Sequence, residues 1–497
     1  MHAPLVLIAV NLLADAPAAP PHRRGLSLLQ GWLPVTIEIV AAIVVVIGIG
    51  WRTRRWRLVW LPVAILVGVG GAAWAHWFVD SQGMAGDPAP DSLWIWTGLT
   101  GFALVVAVVG WRDSSWWRRT AAVAAVPLCL LTTGLALNIW VGYFPTVQIA
   151  WNQLTAGPLP DETDPASLAA MQKAGTVQTH GSVVQVDIPS TASGFKHRSE
   201  LVYLPPQWFA TNPPPKLPVV MMIAGEFNTP ADWLRTGNAA AIVDDFARAH
   251  GGNAPVLVFV DAGGSFNNDT ECVNGPRGNV ADHLTKDVVP YVNANFGTSA
   301  SPANWGIVGW SMGGTCAVDL TVMHPELFST FVDIAGDTGP SAGTHDQTLA
   351  RLYDGNAASW AEFDPATVIT KHGPYHGVSG WFAISTDPPT QHKFSGGDGA
   401  VGLGGRDAAG NPGDQTEAAN TLCALGRANG ITCSVVPTTG RHDWPLAVQV
   451  FTASLPWLAG ALHTPGVPAI PLPAGSPVPA PPGGSSASAA SLAPGGH

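Results

Sequence analysis

Ser311 lies in Gly309-Trp310-Ser311-Met312-Gly313, a G-x-S-x-G pattern set between a short apolar run and a helical stretch. In a strand–turn–helix context this pattern forms a nucleophile elbow, a sharp turn that presents a serine hydroxyl at the end of a sheet. The residues flanking the serine must be small, because backbone packs closely on backbone there. Gly309 and Gly313 meet that need, and Gly314 adds a second small residue at the helix start. The helix N-terminus also favours negative charge developing beside it. A bare G-x-S-x-G arises often by chance, and the bland alternative is a turn serine. The flanking strand and helix are what make this one a candidate nucleophile.

A serine hydroxyl needs a base, and in folds built on such an elbow the base is a histidine that follows the last strand. His442, in Gly440-Arg441-His442-Asp443-Trp444, comes directly after the apolar run Thr432–Val436. His372, His376 and His392 all precede that run, and the bland reading of His442 itself is a surface loop histidine. A carboxylate must orient the imidazole. It should follow the preceding strand, Trp381–Ser385, and come before His442. Asp387 stands two residues beyond that strand, whereas Asp398, Asp407 and Asp414 lie in the glycine-rich stretch after it. Topology favours Asp387, with Asp407 as the alternative and a solvated loop carboxylate as the bland reading of each. An oxyanion hole needs two convergent backbone N–H groups. The expected donors are Met312, next to the nucleophile, and Glu226, in Ala224-Gly225-Glu226-Phe227 after the apolar run Leu217–Ala224.

The elements around these residues alternate. Gly181–Ile188 and Glu200–Leu204 read as an opening strand pair. Leu217–Ala224, Val256–Val260, Trp305–Val308, Thr330–Ile334, Trp381–Ser385 and Thr432–Val436 are short apolar runs of the kind buried on both faces of a sheet. Helical stretches near 238–250, 280–295, 313–325, 346–362, 415–428 and 445–461 separate them. Such alternation predicts a mostly parallel, doubly wound sheet with both faces covered over 177–463, and with the nucleophile elbow on it the expected fold is that of an α/β-hydrolase.

The chain before this domain has another character. Four apolar stretches, at 32–50, 57–79, 92–111 and 119–143, are each near the roughly 20 residues that cross a bilayer. They show almost no polar face, unlike the helices of a soluble bundle. Arg52, Arg54, Arg55 and Arg57 fill the first connection, and Arg112, Arg118 and Arg119 the third. The second holds Asp80, Asp87 and Asp91 and neither Lys nor Arg. The excess of positive charge in cytoplasmic loops then places the first and third connections inside and everything after 143 outside. The expected divisions are an N-terminal segment 1–31, four transmembrane helices 32–143, a linker with a short helix 144–176, the catalytic domain 177–463 and a Pro/Gly/Ala/Ser-rich tail 464–497 that cannot bury a core. Within 1–31, Leu5–Leu13 followed by Ala14-Asp15-Ala16 resembles a secretory signal, although no Lys or Arg precedes the apolar run.

Composition agrees. Hydrophobic residues make up 47% and charged residues 11%, well below the roughly 25% of ordinary soluble domains. Many of the 21 Trp cluster at 51–117, and tryptophan favours the membrane–water interface. A net charge of -11 gives no basic face for nucleic acid. No metal or cofactor motif is present, so the expected partners are an acyl ester or lipid substrate and the bilayer itself. Of five Cys, Cys129 falls in an apolar run, and the other four lie in the domain placed outside. Cys272 and Cys316 should meet near the carboxyl ends of neighbouring strands, and Cys423 and Cys433 join a helix to the next strand. Both pairings are expected as disulfides.

Ala303–Asp337 (ANWGIVGWSMGGTCAVDLTVMHPELFSTFVDIAGD) resembles the esterase D-like branch of α/β-hydrolases, which includes secreted feruloyl-type esterases and the mycobacterial mycolyltransferases. The resemblance covers about 180–462. It implies an oxyanion donor at Ala224-Gly225-Glu226, and a tryptophan close after the catalytic histidine, as in His442-Asp443-Trp444. It also implies an acid farther from its strand than usual, near Asp407. Where the mycolyl branch carries Asp-Gly-Leu-Arg, this chain has Ala-Gly-Glu-Phe, so hydrolysis and acyl transfer both stand as expectations. Two other readings are a non-catalytic scaffold of the same fold and a membrane unit that is itself the functional part. Its apolar runs hold one acidic residue, Glu38, and His76 near an end, and so little intramembrane charge favours an anchor.

Overall fold

The computed structural model describes residues 25–475 apart from 51, 83–88, 112–113, 156, 158, 176, 266–267, 386–414 and 441. Asp387, Asp398, Asp407, Asp414, His392, the signal-like run and residues 476–497 therefore lie outside the described residues.

Four long helices come first: α1 Trp32–Ile49, α2 Leu61–Gln82 with a wider π turn Trp56–Trp60 before it, α3 Asp91–Val109 and α4 Trp116–Val141. Their most apolar windows have mean hydropathies of 1.9 to 2.4, yet only 11% to 33% of each is buried against protein. Val46, Leu66 and Val108 point outward and are about two-thirds exposed. That is the surface of a bundle suited to lipid, with lengths of roughly 27 Å for α1 and 39 Å for α4 at 1.5 Å per residue. α4 packs on α1 and α3, and α2 on α3. Small residues let the helices close up, as where Gly48 meets Ala122 and Gly68 meets Gly98. The arginines gather at one end. Arg52 donates to the carbonyls of Gly110 and Gly48 and lies 4.1 Å over the Trp56 ring, and Arg118 lies 4.9 Å over Trp117. Gly142 ends the bundle at the opposite side, where a bridge between Ser27 and Thr146 joins the segment before α1 to the segment after α4.

The linker holds two short helices rather than the one expected, α5 Val147–Leu154 and α6 Pro165–Ala174; the second starts at Pro165 and is capped by Asp164. The sheet follows: β1 Ser182–Val186, β2 Glu200–Leu204, β3 Val219–Ile223, β4 Val256–Val260, β5 Trp305–Trp310, β6 Thr330–Ile334, β7 Ser379–Ser385 and β8 Thr432–Thr438. Its order is β1-β2-β4-β3-β5-β6-β7-β8. β1 and β2 pair antiparallel, β2 meets β4 antiparallel, and every later neighbour is parallel. This is the α/β-hydrolase arrangement the alternating pattern predicts. Every residue of β2 to β6 is buried, because helices cover both faces. Alternate residues serve opposite cores. Met221 and Ile307 face α8 Val289–Phe296 and α9 Met312–Met323, whereas Met222 and Val308 face α7 Ala239–Ala249 and α14 Trp444–Ala461. Helices were expected near 346–362, and α10 His345–Tyr353 and α11 Ala357–Phe363 stand there, with α12 Pro365–His372 beyond them; Asn356 and Asp364 each cap a new start. α13 Gln415–Ala428 precedes β8.

Both expected disulfides form, Cys272–Cys316 and Cys423–Cys433, with Cα separations of 5.7 and 5.8 Å. The first ties the loop after β4 to the opening turns of α9. Asp333, near the end of β6, is buried against the start of α9 and accepts from Gly336 N–H at 2.8 Å. Burial pushes its carboxyl up to about 7, with Asp337 adding to the rise and the Gly336 bond opposing it.

Two outcomes follow for stability. The disulfides close loops of 44 and 10 residues. Loop-closure entropy alone gives about 4 kcal/mol for the longer and about 3 kcal/mol for the shorter. Denaturant unfolding should therefore rank the Cys272→Ser/Cys316→Ser pair as the more damaging, and a reversed order would refute the loop argument. Asp333 keeps its proton in the folded chain at pH values where the unfolded chain, near the ordinary pKa of about 4, has lost it. Its contribution is full below about pH 4 and is lost as pH rises through about 7. Melting temperature should fall across that window, and Asp333→Asn should flatten part of the slope while keeping the Gly336 bond.

Candidate active site

β5 runs buried to Trp310, and the chain then reverses at Ser311 into α9. Ser311 has φ 58° and ψ -123°, a backbone region that non-glycine residues rarely enter. The turn is so tight that a Cβ on Gly309 would overlap the Gly313 carbonyl, and a Cβ on Gly313 would overlap the carbonyl of Ile223 in β3. Ser311 N–H donates to Ile334 O at 2.9 Å, which pins the elbow to β6.

His442 stands on the loop between β8 and α14. Its Nε2 is 2.9 Å from Ser311 Oγ, hydrogen-bond reach for a base and its nucleophile. The imidazole packs on the Trp310 ring, 4.3 Å between centroids. Its neighbours hold the loop down. Asp443 caps α14 by accepting from Leu446 N–H, and Trp444, buried edge-on to Trp233, donates Nε1–H to Asn228 Oδ1 at 3.1 Å. His372 instead stacks on Tyr375 beyond α12.

At the other ring nitrogen, Gln415 Nε2 lies 2.9 Å from His442 Nδ1. An amide N–H donated into Nδ1 would put the ring proton on Nε2, where it could not accept from Ser311. With the amide turned end for end, its Oε1 accepts His442 Nδ1–H, and His442 Nε2 keeps the lone pair that accepts from Ser311 Oγ–H. Both flanks of the segment that holds Asp387 and Asp407 come to this loop: Ser385 donates to Gly440 O, and Gln415 meets His442.

The loop after β3 passes over the serine, since a Cβ on Gly225 would be 3.0 Å from Ser311 Cβ. Glu226 and Met312 line one cavity there. Phe227 takes φ 66°, and Asn228 fixes the turn by donating from Nδ2 to the carbonyls of Gly225 and Glu226. Arg198 donates to Asn228 O at 2.9 Å while forming a two-pronged ion pair with Asp261. Burial alone would raise the Asp261 carboxyl, but Arg198 holds it below its usual value. The sequence reading missed Gln415, Asn228 and Arg198, whose roles depend on distant partners.

Among the described residues, His197, Glu200 and His283 bring one ligand-type atom each within 4.8 Å of one another. Both His197 nitrogens already face carbonyls, of Arg198 and Ile188, at 2.8 Å. The His197 and His283 rings stack at 4.3 Å instead of converging on a point. Zinc needs nitrogens aimed at one centre, so the cluster fits a buried polar network better than a metal site.

Residues 196–394 match the Esterase family model. An uncharacterized protein of Corynebacterium glutamicum is 26% identical over 437 residues, 86% of this chain and 94% of its own length. Among solved structures, a ferulic acid esterase has 17% identity, with a TM-score of 0.42, and covers 57% of this chain and 99% of its own. An S-formylglutathione hydrolase from Agrobacterium tumefaciens has 15% identity and a TM-score of 0.44, over 57% and 97%. MPT51 of Mycobacterium tuberculosis has 17% identity and a TM-score of 0.38, over 56% and 97%. The family match takes in the elbow and strands β2 to β7, and with the eight-stranded sheet around it the chain is a serine carboxylic-ester hydrolase or acyltransferase of the α/β-hydrolase fold, similar to the Esterase family.

Proposed function

We propose that this enzyme is anchored by α1–α4 in the cytoplasmic membrane, faces outward, and acts through an acyl-enzyme on Ser311, with an ester of a cell-envelope lipid as substrate. The observation that carries the reading is the 2.9 Å contact between His442 Nε2 and the hydroxyl of a serine held at φ 58°. His442 takes the Ser311 proton as Oγ attacks the ester carbonyl. The N–H groups of Met312 and Glu226 receive the oxyanion, and the protonated His442 returns its proton to the leaving alcohol. Water or a second alcohol then attacks the acyl-enzyme, with His442 again as base. Asp387 is assigned the orienting carboxylate, with Asp407 as the alternative. The contact of Ser385, two residues before Asp387, with Gly440 supports the first.

The anchored, outward placement draws on three supports. The arginines gather at the end of the bundle opposite Gly142, so a cytoplasmic arginine end leaves the hydrolase outside. The two disulfides suit an oxidising compartment. The corynebacterial relative aligns over more residues than lie between 144 and the end of this chain, so the likeness reaches into the membrane helices. A lipid substrate suits the geometry because Gly142, the first residue after α4, packs against Asp443 beside His442. An ester held in the same bilayer thus reaches the site with little extraction from it. A non-catalytic scaffold of this fold would have no use for a strained serine paired with a histidine.

A fluorophosphonate should label the full-length chain at Ser311, and Ser311→Ala or His442→Ala should abolish both labelling and ester turnover; labelling that survives Ser311→Ala refutes the assignment. Asp387→Asn should cut turnover by about 10⁴, as in a serine protease whose acid is replaced, with Asp407→Asn near wild type. The reverse pattern would hand the role to Asp407. Reporter fusions after residues 55 and 115 should read cytoplasmic and those after 85 and 180 external, and a cytoplasmic signal at 180 would overturn the outward placement.

A further inference from the structure

Two loops build the catalytic centre, 225–229 after β3 and 440–444 before α14, and both rest on the end of α4. Gly142 caps that helix with φ 70°. A Cβ added there would stand 2.7 Å from Asp443 Cβ and 3.1 Å from Asp443 Cα. The end of the last apolar helix therefore lies directly on the backbone that carries His442. The next residue reaches the other loop. Tyr143 donates its hydroxyl to Asp232 Oδ2 at 2.8 Å, and the same oxygen accepts Thr229 N–H at 2.6 Å and Thr229 Oγ1–H at 3.1 Å. Gln153 of α5 donates to Tyr143 Oη at 3.0 Å and also to Asp232 Oδ1. Asp232 is wholly buried. Asn228 links the two loops through Trp444.

A tether needs only length. It has no need of a buried carboxylate met by donors from the linker and the oxyanion loop together, nor of a contact with the His442 loop so close that it excludes any side chain. We infer that the end of α4 is a positioning element of the catalytic centre, with Gly142 setting the His442 loop and Tyr143 setting the oxyanion loop. Catalytic geometry thus depends on the membrane unit and not on the hydrolase domain alone. The inference rests on the reading of Ser311 and His442 as the catalytic pair.

The test uses the full chain in nanodiscs with a water-soluble p-nitrophenyl ester, measuring kcat, KM, the rate of fluorophosphonate labelling and melting temperature. Gly142→Asn keeps a residue that tolerates left-handed backbone yet adds the Cβ. Tyr143→Phe removes one hydroxyl. Gly134→Ala, whose Cβ would meet nothing within 4 Å on the same helix, is the control. A misplacement near 1 Å costs about 10²-fold, so Gly142→Asn should lower kcat and labelling by about that factor. Loss of one hydrogen bond should make Tyr143→Phe about tenfold slower. KM should stay at wild type in both, melting temperature should drop by only a few degrees so that both variants stay folded at the assay temperature, and the control should be unchanged throughout. Wild-type kcat in Gly142→Asn and Tyr143→Phe, with wild type labelled normally, overturns the inference. So does a loss of activity that merely follows a loss of melting temperature. Failure of the wild type itself to label refutes the catalytic reading instead, which keeps the two failures distinct.

Discussion

The close approach of β5 to the start of α9 is the constraint on which the rest of the structure depends. Strand and helix meet backbone to backbone at Gly309, Gly313 and the Ile223 carbonyl, with no room for a side-chain atom between them. That contact forces Ser311 into positive φ and turns its hydroxyl out of the sheet. Strain of this kind costs about 1–3 kcal/mol and persists only where the surroundings over-determine it. Here they do: β3 and β6 flank β5 on either side, Ser311 N–H is tied to Ile334, and Cys316 is locked to Cys272 one turn beyond the elbow. Asp333 packs against the same helix start, and its raised pKa records how dry that junction is.

Around this fixed point the two parts of the chain treat their apolar surface differently. The hydrolase sheet hides its apolar runs on both faces, whereas α1–α4 leave theirs outward. The hydrophobic effect accounts for the first directly and makes the second suited to a non-aqueous neighbour. The polar groups follow suit. The arginines of the bundle sit beside tryptophans and backbone carbonyls at one end, and the donors and acceptors at its other end engage the hydrolase domain. The junction is a polar knot of Tyr143, Gln153, Asp232 and Thr229. A buried carboxylate satisfied by four donors is rigid, since losing one leaves the charge poorly compensated in a medium that solvates it badly.

What the sequence disclosed tracks how local each signal is. Ser311 and the glycines beside it are legible because the elbow is a contiguous pattern. The sheet is legible because strands buried on both faces read as apolar runs, though ends shift: the expected Gly181–Ile188 contracts to Ser182–Val186, and Trp305–Val308 extends to Trp310. The expected cysteine pairs form, although the strands before Cys272 and Cys316 are not neighbours, since β3 stands between β4 and β5. The acid is not legible, because four aspartates follow β7 and no local pattern chooses among them. Asn228, Asp232, Arg198 and Gln415 were invisible for a related reason. Each is an ordinary polar residue whose role is conferred by a partner between 27 and 216 positions away.

The contact of Gln415 with His442 bears on that unresolved acid. An amide oxygen on Nδ1–H fixes the tautomer and the plane of the ring, which is half of what an orienting group does. The other half is electrostatic: once His442 holds the Ser311 proton it is a cation beside the buried Trp310 and Trp444, and a neutral amide stabilises a cation far less than a carboxylate does. Gln415 can therefore assist an acid but not replace one at full effect. The segment 386–414 starts from a residue bonded to the His442 loop and ends at the one bonded to His442 itself. The electrostatic half of the orienting role at Nδ1 therefore calls for a carboxylate, and Gln415 does not supply one.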